Sequence, residues 1–491
     1  MDGNFKKIVS FLGAVTLSFL AACGKSDVGG IGSESDPTEE GHEHVFSQFY
    51  AYDDLSHWHE AICGHSRKSG EERHDFTDWI PVEAPSATSG GEEMKRCIVC
   101  NYTVTRETGR GSFFDGAVSD TSGPKTFSCG WAYGNNDLDT ALTPIWEGNT
   151  VYNETVTFAD KEDMPTLLYA PTEILSVCDY ARTTEYVEGK DFIVEGNKIR
   201  LTERTAIPYW GSISPEETLY SDSFGSIRIA SRKFPGKYVF YSETVPNRYQ
   251  ICVTYRHDSR WTGFAPQGNR VAFPKTLGKL EQGGNLSVGV LGDSITFGRG
   301  SSSDVNTFKP HPTPCYASLV GEYLTARYPD ANIVYDNQGV GGTTASWGKE
   351  TGLARFRTIP DLLIVAFGMN DDGGSSDYYE NNIRGLIVAA RDRNPACEIL
   401  LVSSMLDNPD RADHDCHLPA FEERLEKIAS ETPSVGVAKM TSMCQYLYTQ
   451  TGVRFEDVNS NNYNHPNDFT HRLYAQVILK TLLADGYVSL K

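Results

Sequence analysis

The chain reads Val288-Gly289-Val290-Leu291-Gly292-Asp293-Ser294-Ile295-Thr296 at the stretch that decides its fold. Valine and leucine lead up to a glycine, a pattern typical of a buried parallel strand that ends in a sharp turn. A serine directly after such a strand lies where open α/β sheets bind their ligands. Ser294 is therefore the candidate nucleophile. The alternative is an ordinary turn, in which Gly-Asp-Ser is also common.

Strand and helix patterns alternate over residues 284–491. Apolar runs predict strands at 286–291, 332–335, 361–367, 398–403 and 435–438. Helical patterns are predicted at 316–327, 378–393, 419–430 and 472–484. Strands with intervening helices predict a three-layer α/β/α sandwich with a mostly parallel sheet. Because crossovers are right-handed, the carboxyl ends of the strands should meet at one edge.

Three further motifs follow predicted strands or precede the last helix. They are Asn337-Gln338-Gly339-Val340-Gly341-Gly342-Thr343-Thr344, Gly368-Met369-Asn370-Asp371 and Asn464-His465-Pro466-Asn467-Asp468. Together with the Gly-Asp-Ser turn, in this order, they resemble the blocks of the SGNH (GDSL-type) hydrolase superfamily. The resemblance covers roughly residues 285–491 and implies a flavodoxin-like fold.

The resemblance also implies a role for each motif. Ser294 would attack an ester carbonyl, and a histidine, for which His465 is the candidate, would activate it. The N–H groups of Ser294 and Gly342 and the side-chain amide of Asn370 would stabilise the oxyanion. This mechanism needs no metal or cofactor.

The histidine has two candidate registers, because this sequence departs from the Asp-x-x-His pattern of the family. His465 precedes Pro466, as in the family, but Asn462 stands where the aspartate is expected. Asp468-Phe469-Thr470-His471 has the right spacing, but its histidine opens the last helix. We favour His465, with a backbone carbonyl orienting its ring; Asp457 or Asp468 is the alternative orienter.

The N-terminal segment resembles a bacterial lipoprotein signal peptide over residues 1–22. Lys6 and Lys7 precede an apolar run from Ile8 to Leu20, which is too short for a convincing membrane span. The resemblance implies that Cys23 is lipidated and anchors the chain to the cell envelope, facing outside the cytoplasm. The alternative is a plain secretory signal. Residues 23–41 are rich in glycine, serine and acidic residues and predict a flexible linker.

Histidine and cysteine are concentrated in residues 42–110, which hold half of the chain's 12 histidines. Imidazole and thiolate are the ligands that zinc prefers. The segment resembles small Cys/His modules of bacterial surface proteins, which implies a structural zinc. We choose Cys63, His65, Cys97 and Cys100 as ligands, with His74 as the first substitute. A disulfide or free thiols are the alternative.

Residues 111–283 alternate polar and apolar side chains in short runs separated by turns, as at 150–158 and 198–201. This predicts a β-sandwich or jelly-roll-like domain. It resembles the N-terminal β domain that accompanies some carbohydrate esterases. Trp131, Trp146, Trp210 and Trp261 fit either a sugar-stacking platform or, more commonly, core packing.

The net charge of −21, from 65 acidic and 44 basic residues, argues against a nucleic-acid partner. The combined features predict a surface-anchored serine esterase that removes O-acetyl or other short acyl groups from polysaccharides. A lipase acting on longer acyl chains is one alternative. Another is a non-catalytic glycan-binding lipoprotein on a degenerate esterase fold, which Asn462 motivates.

Overall fold

A computed structural model describes residues 44–63, 66–76, 80–83, 91–97, 100, 102–108, 138–210, 220–221, 229–242, 245–303, 313–413, 415–488 and 490. The chain divides into two compact units, Met1–Phe113 and Phe114–Lys491. The predicted signal peptide, Cys23 and the linker at 23–41 lie outside the described residues. Within the described part of the chain, no helix combines the length and apolar character needed to cross a membrane.

The described residues of the first unit form two antiparallel sheets of three strands each, in the orders β1-β2-β3 and β4-β5-β6. The strands are β1 (Phe46–Tyr52), β2 (Ser56–Ala61), β3 (Lys68–Arg73), β4 (Ile80–Glu83), β5 (Gly91–Arg96) and β6 (Thr103–Thr108). An isolated bridge pairs Phe76, which follows β3, with Cys97, which follows β5. This bridge brings the chain after β3 next to the cysteine that follows β5.

The second unit begins with a β-rich region of short antiparallel strands. They are β7 (Thr150–Thr157), β8 (Glu173–Asp179), β9 (Phe192–Glu195), β10 (Lys198–Leu201), β11 (Tyr220–Ser221), β12 (Ile229–Ala230), β13 (Tyr238–Val239) and β14 (Gln250–Arg256). They form sheets in the orders β7-β14-β8, β10-β9 and β11-β13-β12. The region is β-rich as expected, and its jelly-roll-like arrangement stays a prediction. Trp146 and Trp210 are buried, consistent with core packing.

A five-stranded parallel sheet forms the centre of the C-terminal half, in the order β16-β15-β17-β18-β19. Its strands are β15 (Asn285–Gly292), β16 (Asn332–Asn337), β17 (Leu362–Ala366), β18 (Glu398–Val402) and β19 (Val435–Ala438). The strand order reverses at β15, which makes the carboxyl end of this strand the topological switch point where such sheets bind ligands.

Helices cover this sheet. In the described part of the second unit, the α-helices are α1 (Leu138–Leu142), α2 (Pro274–Glu281), α3 (Ser294–Phe297), α4 (Tyr316–Arg327), α5 (Ala345–Glu350), α6 (Ser376–Arg393), α7 (Leu418–Glu431), α8 (Met440–Tyr446), α9 (Phe455–Val458) and α10 (Asp468–Leu483). Helices α4 and α10 pack together, and α5, α6 and α7 form a second row. The predicted α/β/α sandwich is confirmed for this half of the chain.

Candidate active site

Ser294 lies on the sharp turn between β15 and α3. Gly292 is required there, because a β-carbon at this position would overlap the hydroxyl of Thr296 and the carbonyl oxygen of Ala366. Asp293 caps α3 by accepting a hydrogen bond from the N–H of Ile295 at 2.9 Å. Ser294 is the first residue of that helix and is 7% exposed. The turn thus presents the hydroxyl at the carboxyl edge of the sheet.

His465 is the histidine that meets this serine. Its Nε2 lies 3.0 Å from Oγ of Ser294, and the residue is half-buried. His471 is fully buried elsewhere: its Nε2 donates to the carbonyl of Arg299 at 3.0 Å, and its Nδ1 accepts from the N–H of Tyr316 at 3.3 Å. Burial lowers the pKa of His471 to about 4, so this ring is neutral near pH 7.

The glycine-rich loop after β16 lies against the nucleophile. A methyl group built on Gly341 would lie 3.9 Å from Cβ of Ser294. Gly342 has a φ of +75°, a left-handed conformation that side chains other than glycine adopt at a cost. The exposed Asn370 follows β17, and its side-chain amide donates to the carbonyl of Thr343 at 2.9 Å. The two predicted oxyanion loops are therefore joined beside Ser294.

A family model independently matches this part of the chain. The model of the GDSL-like lipase/acylhydrolase family covers residues 290–473, which include every predicted catalytic residue. Residues 290–473 are a GDSL-like lipase/acylhydrolase domain. The match supports the expectation that this domain is a carboxylic ester hydrolase.

Several solved structures are similar to this chain. A two-domain esterase active on acetylated mannans, co-crystallised with mannopentaose, is 25% identical with a TM-score of 0.35; the match covers 44% of this chain and 54% of that one. An acetylxylan esterase from Geobacillus stearothermophilus is 20% identical with a TM-score of 0.30, over 40% and 93% of the two chains. An α/β hydrolase from the metagenome of Lake Arreo is 19% identical with a TM-score of 0.30, over 40% and 93%. The chain spans about half the length of the two-domain esterase. No curated protein sequence matches it.

Two buried carboxyl groups neighbour candidate residues in the sequence: Asp293 precedes Ser294, and Asp371 follows Asn370. Burial raises the pKa of Asp293 to about 7, partly offset by the N–H of Ile295 and by His465. Burial likewise raises the pKa of Asp371 to about 6, against the N–H groups of Ala345 and Gly368. Because their pKa values are raised, the two carboxyl groups are partly protonated near neutral pH. The site therefore carries less of the negative charge that would oppose a developing oxyanion.

Asparagines that the sequence analysis did not single out shape the loop that carries His465. Oδ1 of Asn461 accepts from the N–H groups of Tyr463, Asn464 and His465 at 2.9, 2.9 and 3.0 Å. Oδ1 of Asn459 accepts from the N–H of Asn461 at 3.0 Å. The run of asparagines from 459 to 467 is the signal that predicts such side-chain-to-backbone turns.

The residues considered as orienters of His465 have other hydrogen bonds. In the described parts of the chain, the Asn462 side chain bonds only the carbonyl of Phe240, at 3.0 Å, and the amide of Asn408, at 3.3 Å. Oδ1 of Asp457 accepts from the N–H of Thr157 at 2.7 Å. The carboxylate of Asp468 accepts from the N–H and the hydroxyl of Ser302, both at 2.7 Å. Asn462 thus ties the loop to the β-rich region.

A candidate metal centre lies in the first unit. Ligand atoms of His57, His74, Cys97 and Cys100 all lie within 4.8 Å of one another. The distance is 3.9 Å from Cys97 Sγ to His57 Nδ1 and 3.4 Å from Cys100 Sγ to His74 Nδ1. Four ligands around one zinc lie about 3.3–3.8 Å apart, so two imidazoles and two thiolates at this spacing fit a tetrahedral site.

This set differs from the ligands chosen from the sequence, and the identity of the ligands stays a prediction. Cys97 and Cys100 come together as expected, and His74, the first substitute, joins them with His57. Cys63 is not in the cluster, because the turn after β2 directs its sulfur to His44 Nδ1 at 3.1 Å. His65 lies outside the described residues.

Proposed function

We propose that the chain is a serine esterase that removes O-acetyl or other short acyl groups from polysaccharides. The observation that carries this proposal is the 3.0 Å contact between Ser294 Oγ and His465 Nε2 inside a GDSL-like domain. The loops that carry Gly342, Asn370 and His465 consist mainly of small and polar residues. This composition favours a substrate with a short acyl group and a polar remainder. A long acyl chain would need an apolar surface there.

The first half of the reaction acylates the enzyme. Nε2 of His465 takes the proton of Ser294 as Oγ attacks the ester carbonyl, which forms a tetrahedral oxyanion. When the intermediate collapses, the bond from the carbonyl carbon to the sugar oxygen breaks, and His465 returns its proton to that oxygen. The deacetylated sugar leaves, and the acyl group stays on Ser294.

The second half repeats these steps with water. His465 takes a proton from water as the oxygen attacks the acyl-enzyme, and then returns a proton to Oγ of Ser294 as the carboxylic acid leaves. In both halves the N–H groups of Ser294 and Gly342 and the amide of Asn370 stabilise the oxyanion. Asn370 donates to Thr343 in the free enzyme, so it enters the reaction already held beside the glycine loop.

Three variants, Ser294→Ala, His465→Ala and His471→Ala, test the proposal on p-nitrophenyl acetate and on acetylated xylan and mannan. We expect the first two to lower kcat by at least about 10²-fold, the contribution of general acid–base catalysis alone. His471→Ala should lower stability but keep kcat per folded molecule. Equal activity in Ser294→Ala would refute the enzyme proposal and favour the glycan-binding alternative. A clear preference for long-chain p-nitrophenyl esters would favour a lipase.

We also propose that the chain is anchored to the cell envelope, outside the cytoplasm, through lipidated Cys23. The proposal is supported by Lys6 and Lys7, the apolar run Ile8–Leu20 and the cysteine that follows it. We expect a diacylglyceryl mass on the N-terminal peptide and a membrane-bound enzyme, whereas Cys23→Ala should leave the enzyme unanchored. An unmodified Cys23 in the purified membrane fraction would refute the anchor.

The first unit is proposed to hold a structural zinc on His57, His74, Cys97 and Cys100. The tautomer of His74 supports this assignment: its Nε2 donates to the carbonyl of Asp53 at 2.7 Å, so the lone pair of Nδ1 faces Cys100. Zinc would cross-link the two small sheets at the bridge between Phe76 and Cys97. With four protein ligands the site has no position for substrate, so the metal has no part in catalysis.

A further inference from the structure

The loop that carries His465 is closed at its base by backbone bonds. Asn459 and Pro466 form an antiparallel bridge, and the N–H of Ser460 donates to the carbonyl of His465 at 2.8 Å. Asn467 follows directly after the loop and caps α10, because its Oδ1 accepts a hydrogen bond from the N–H of Thr470 at 3.2 Å. The position of the imidazole therefore depends on where this base is held.

Gln250, the first residue of β14 in the β-rich region, holds the base of the loop. Its side-chain amide donates to the carbonyls of Glu456 and Asn459 at 2.9 and 2.6 Å. Its Oε1 accepts from the side-chain amide of Asn467 at 3.1 Å. Gln250 is 1% exposed, so water cannot replace these three hydrogen bonds.

Further contacts make the β-rich region a rigid support for the same loop. β14 is the central strand of its sheet, between β7 and β8. From β7, the hydroxyl of Thr155 accepts from Asn467 at 2.9 Å, and the N–H of Thr157 donates to Asp457 at 2.7 Å. On the far side of the loop, Asn462 donates to the carbonyl of Phe240. Both sides of the loop that carries His465 are thus bonded to the β-rich region, outside the GDSL-like domain.

We propose that the β-rich region is the scaffold of the catalytic loop and that Gln250 is a positioning residue for His465. The inference rests on the proposed function, in which His465 is the base. Among the described residues, the side chain of Gln250 hydrogen-bonds Glu456, Asn459 and Asn467 rather than Ser294 or His465, so it acts through the base of the loop. A misplacement of a catalytic group by 1 Å can lower the rate about 10²-fold, so the loss of this support should appear in the chemical step.

The test replaces Gln250 by leucine, which keeps much of its volume but removes all three hydrogen bonds. Thr254→Val, on the same strand, is the matched control: this buried hydroxyl bonds Asn153, not the catalytic loop. For Gln250→Leu we expect kcat on p-nitrophenyl acetate to fall about 10²-fold with KM within about two-fold. The control should keep both constants.

A burst titration of each variant gives the fraction of active sites, so that kcat is expressed per active site. If the leucine variant folds poorly, Gln250→Met repeats the test.

Hydrogen exchange of the full chain provides a readout that needs no turnover. In Gln250→Leu, peptides over residues 459–467 should exchange faster, whereas those over residues 285–303 should be unchanged. A loss of burst amplitude with an unchanged rate per active site would reduce Gln250 to a folding residue and overturn the inference. So would unchanged exchange at 459–467. An inactive wild-type enzyme with the expected exchange pattern would instead refute the proposed esterase and, with it, the role of His465 as base.

Discussion

Nε2 of His465 lies 3.0 Å from Oγ of Ser294, although 171 residues separate them along the chain. Ser294 follows the first strand of the parallel sheet, and His465 precedes its last helix. Their contact therefore requires the complete sheet between them and the loop that Gln250 supports.

The oxyanion role proposed for Asn370 predicts a defect confined to the chemical step. Asn370→Ala removes one preorganised donor, which typically costs about 10²–10³ in kcat. KM should change little, because the ground-state carbonyl gains less from this donor than the oxyanion does. Steady-state kinetics on p-nitrophenyl acetate measure both constants. The exposed Asn332, the first residue of β16, lies at the opposite edge of the sheet, and Asn332→Ala serves as the control. A kcat within three-fold of wild type in Asn370→Ala would contradict the assignment.

The buried His471 predicts that the protein loses stability in mild acid. Its folded pKa of about 4 lies below the ordinary value of 6.5, so the unfolded chain binds the extra proton first. The neutral ring contributes about 3 kcal/mol to the free energy of unfolding. This contribution is fully present above pH 6.5 and is lost as the pH falls towards 4. Urea unfolding at pH 7 and pH 5 should show this slope, and His471→Gln should flatten it. An identical slope in the variant would show that other groups cause the acid sensitivity.

Glu154 predicts the opposite trend at higher pH. Burial raises the pKa of this carboxyl to about 8, against hydrogen bonds from the hydroxyl of Tyr255 at 2.5 Å and the N–H of Leu168 at 2.8 Å. Between pH 4.5 and 8 the folded state keeps a proton that the unfolded state releases, so stability falls as the pH rises. Glu154→Gln should remove this fall, by up to about 5 kcal/mol, whereas the exposed Glu162→Gln should not. A stability curve unchanged by Glu154→Gln would contradict the raised pKa.

The sheet and the serine turn could be predicted because their signals are local. The strand predicted at 361–367 is β17 (Leu362–Ala366), and the helix predicted at 316–327 is α4. The last helix begins at Asp468, four residues before its prediction, because Asn467 supplies the N-cap through its side chain. Apolar periodicity does not reveal a polar first turn that a cap stabilises.

Contacts between segments that are distant in the sequence could not be predicted from it. Gln250 stands in an otherwise ordinary strand pattern, and only the packing of β14 against the loop that carries His465 shows its three hydrogen bonds. The same holds for His57, since the pairing of strands brings it to Cys97, 40 residues away. Cys97 and Cys100 lie three positions apart and were both chosen from the sequence, whereas their histidine partners depend on tertiary structure.

The metal centre gives the last prediction, that one zinc binds per chain and stabilises only the first unit. Nε2 of His57 is buried without a hydrogen-bond partner among the described residues, and Nδ1, which faces Cys97, is the nitrogen that would bind zinc. His74→Ala and Cys97→Ser should each abolish zinc in the purified protein, as measured by mass spectrometry of the metal content. Cys63→Ser is the matched control. This variant should retain one equivalent of zinc, because the sulfur of Cys63 faces His44.

Strong chelators should unfold residues 44–108 but leave kcat on p-nitrophenyl acetate unchanged, because Ser294 and His465 belong to the other unit. Loss of zinc in Cys63→Ser, with retention in His74→Ala, would return the assignment to the ligand set that the sequence alone had favoured.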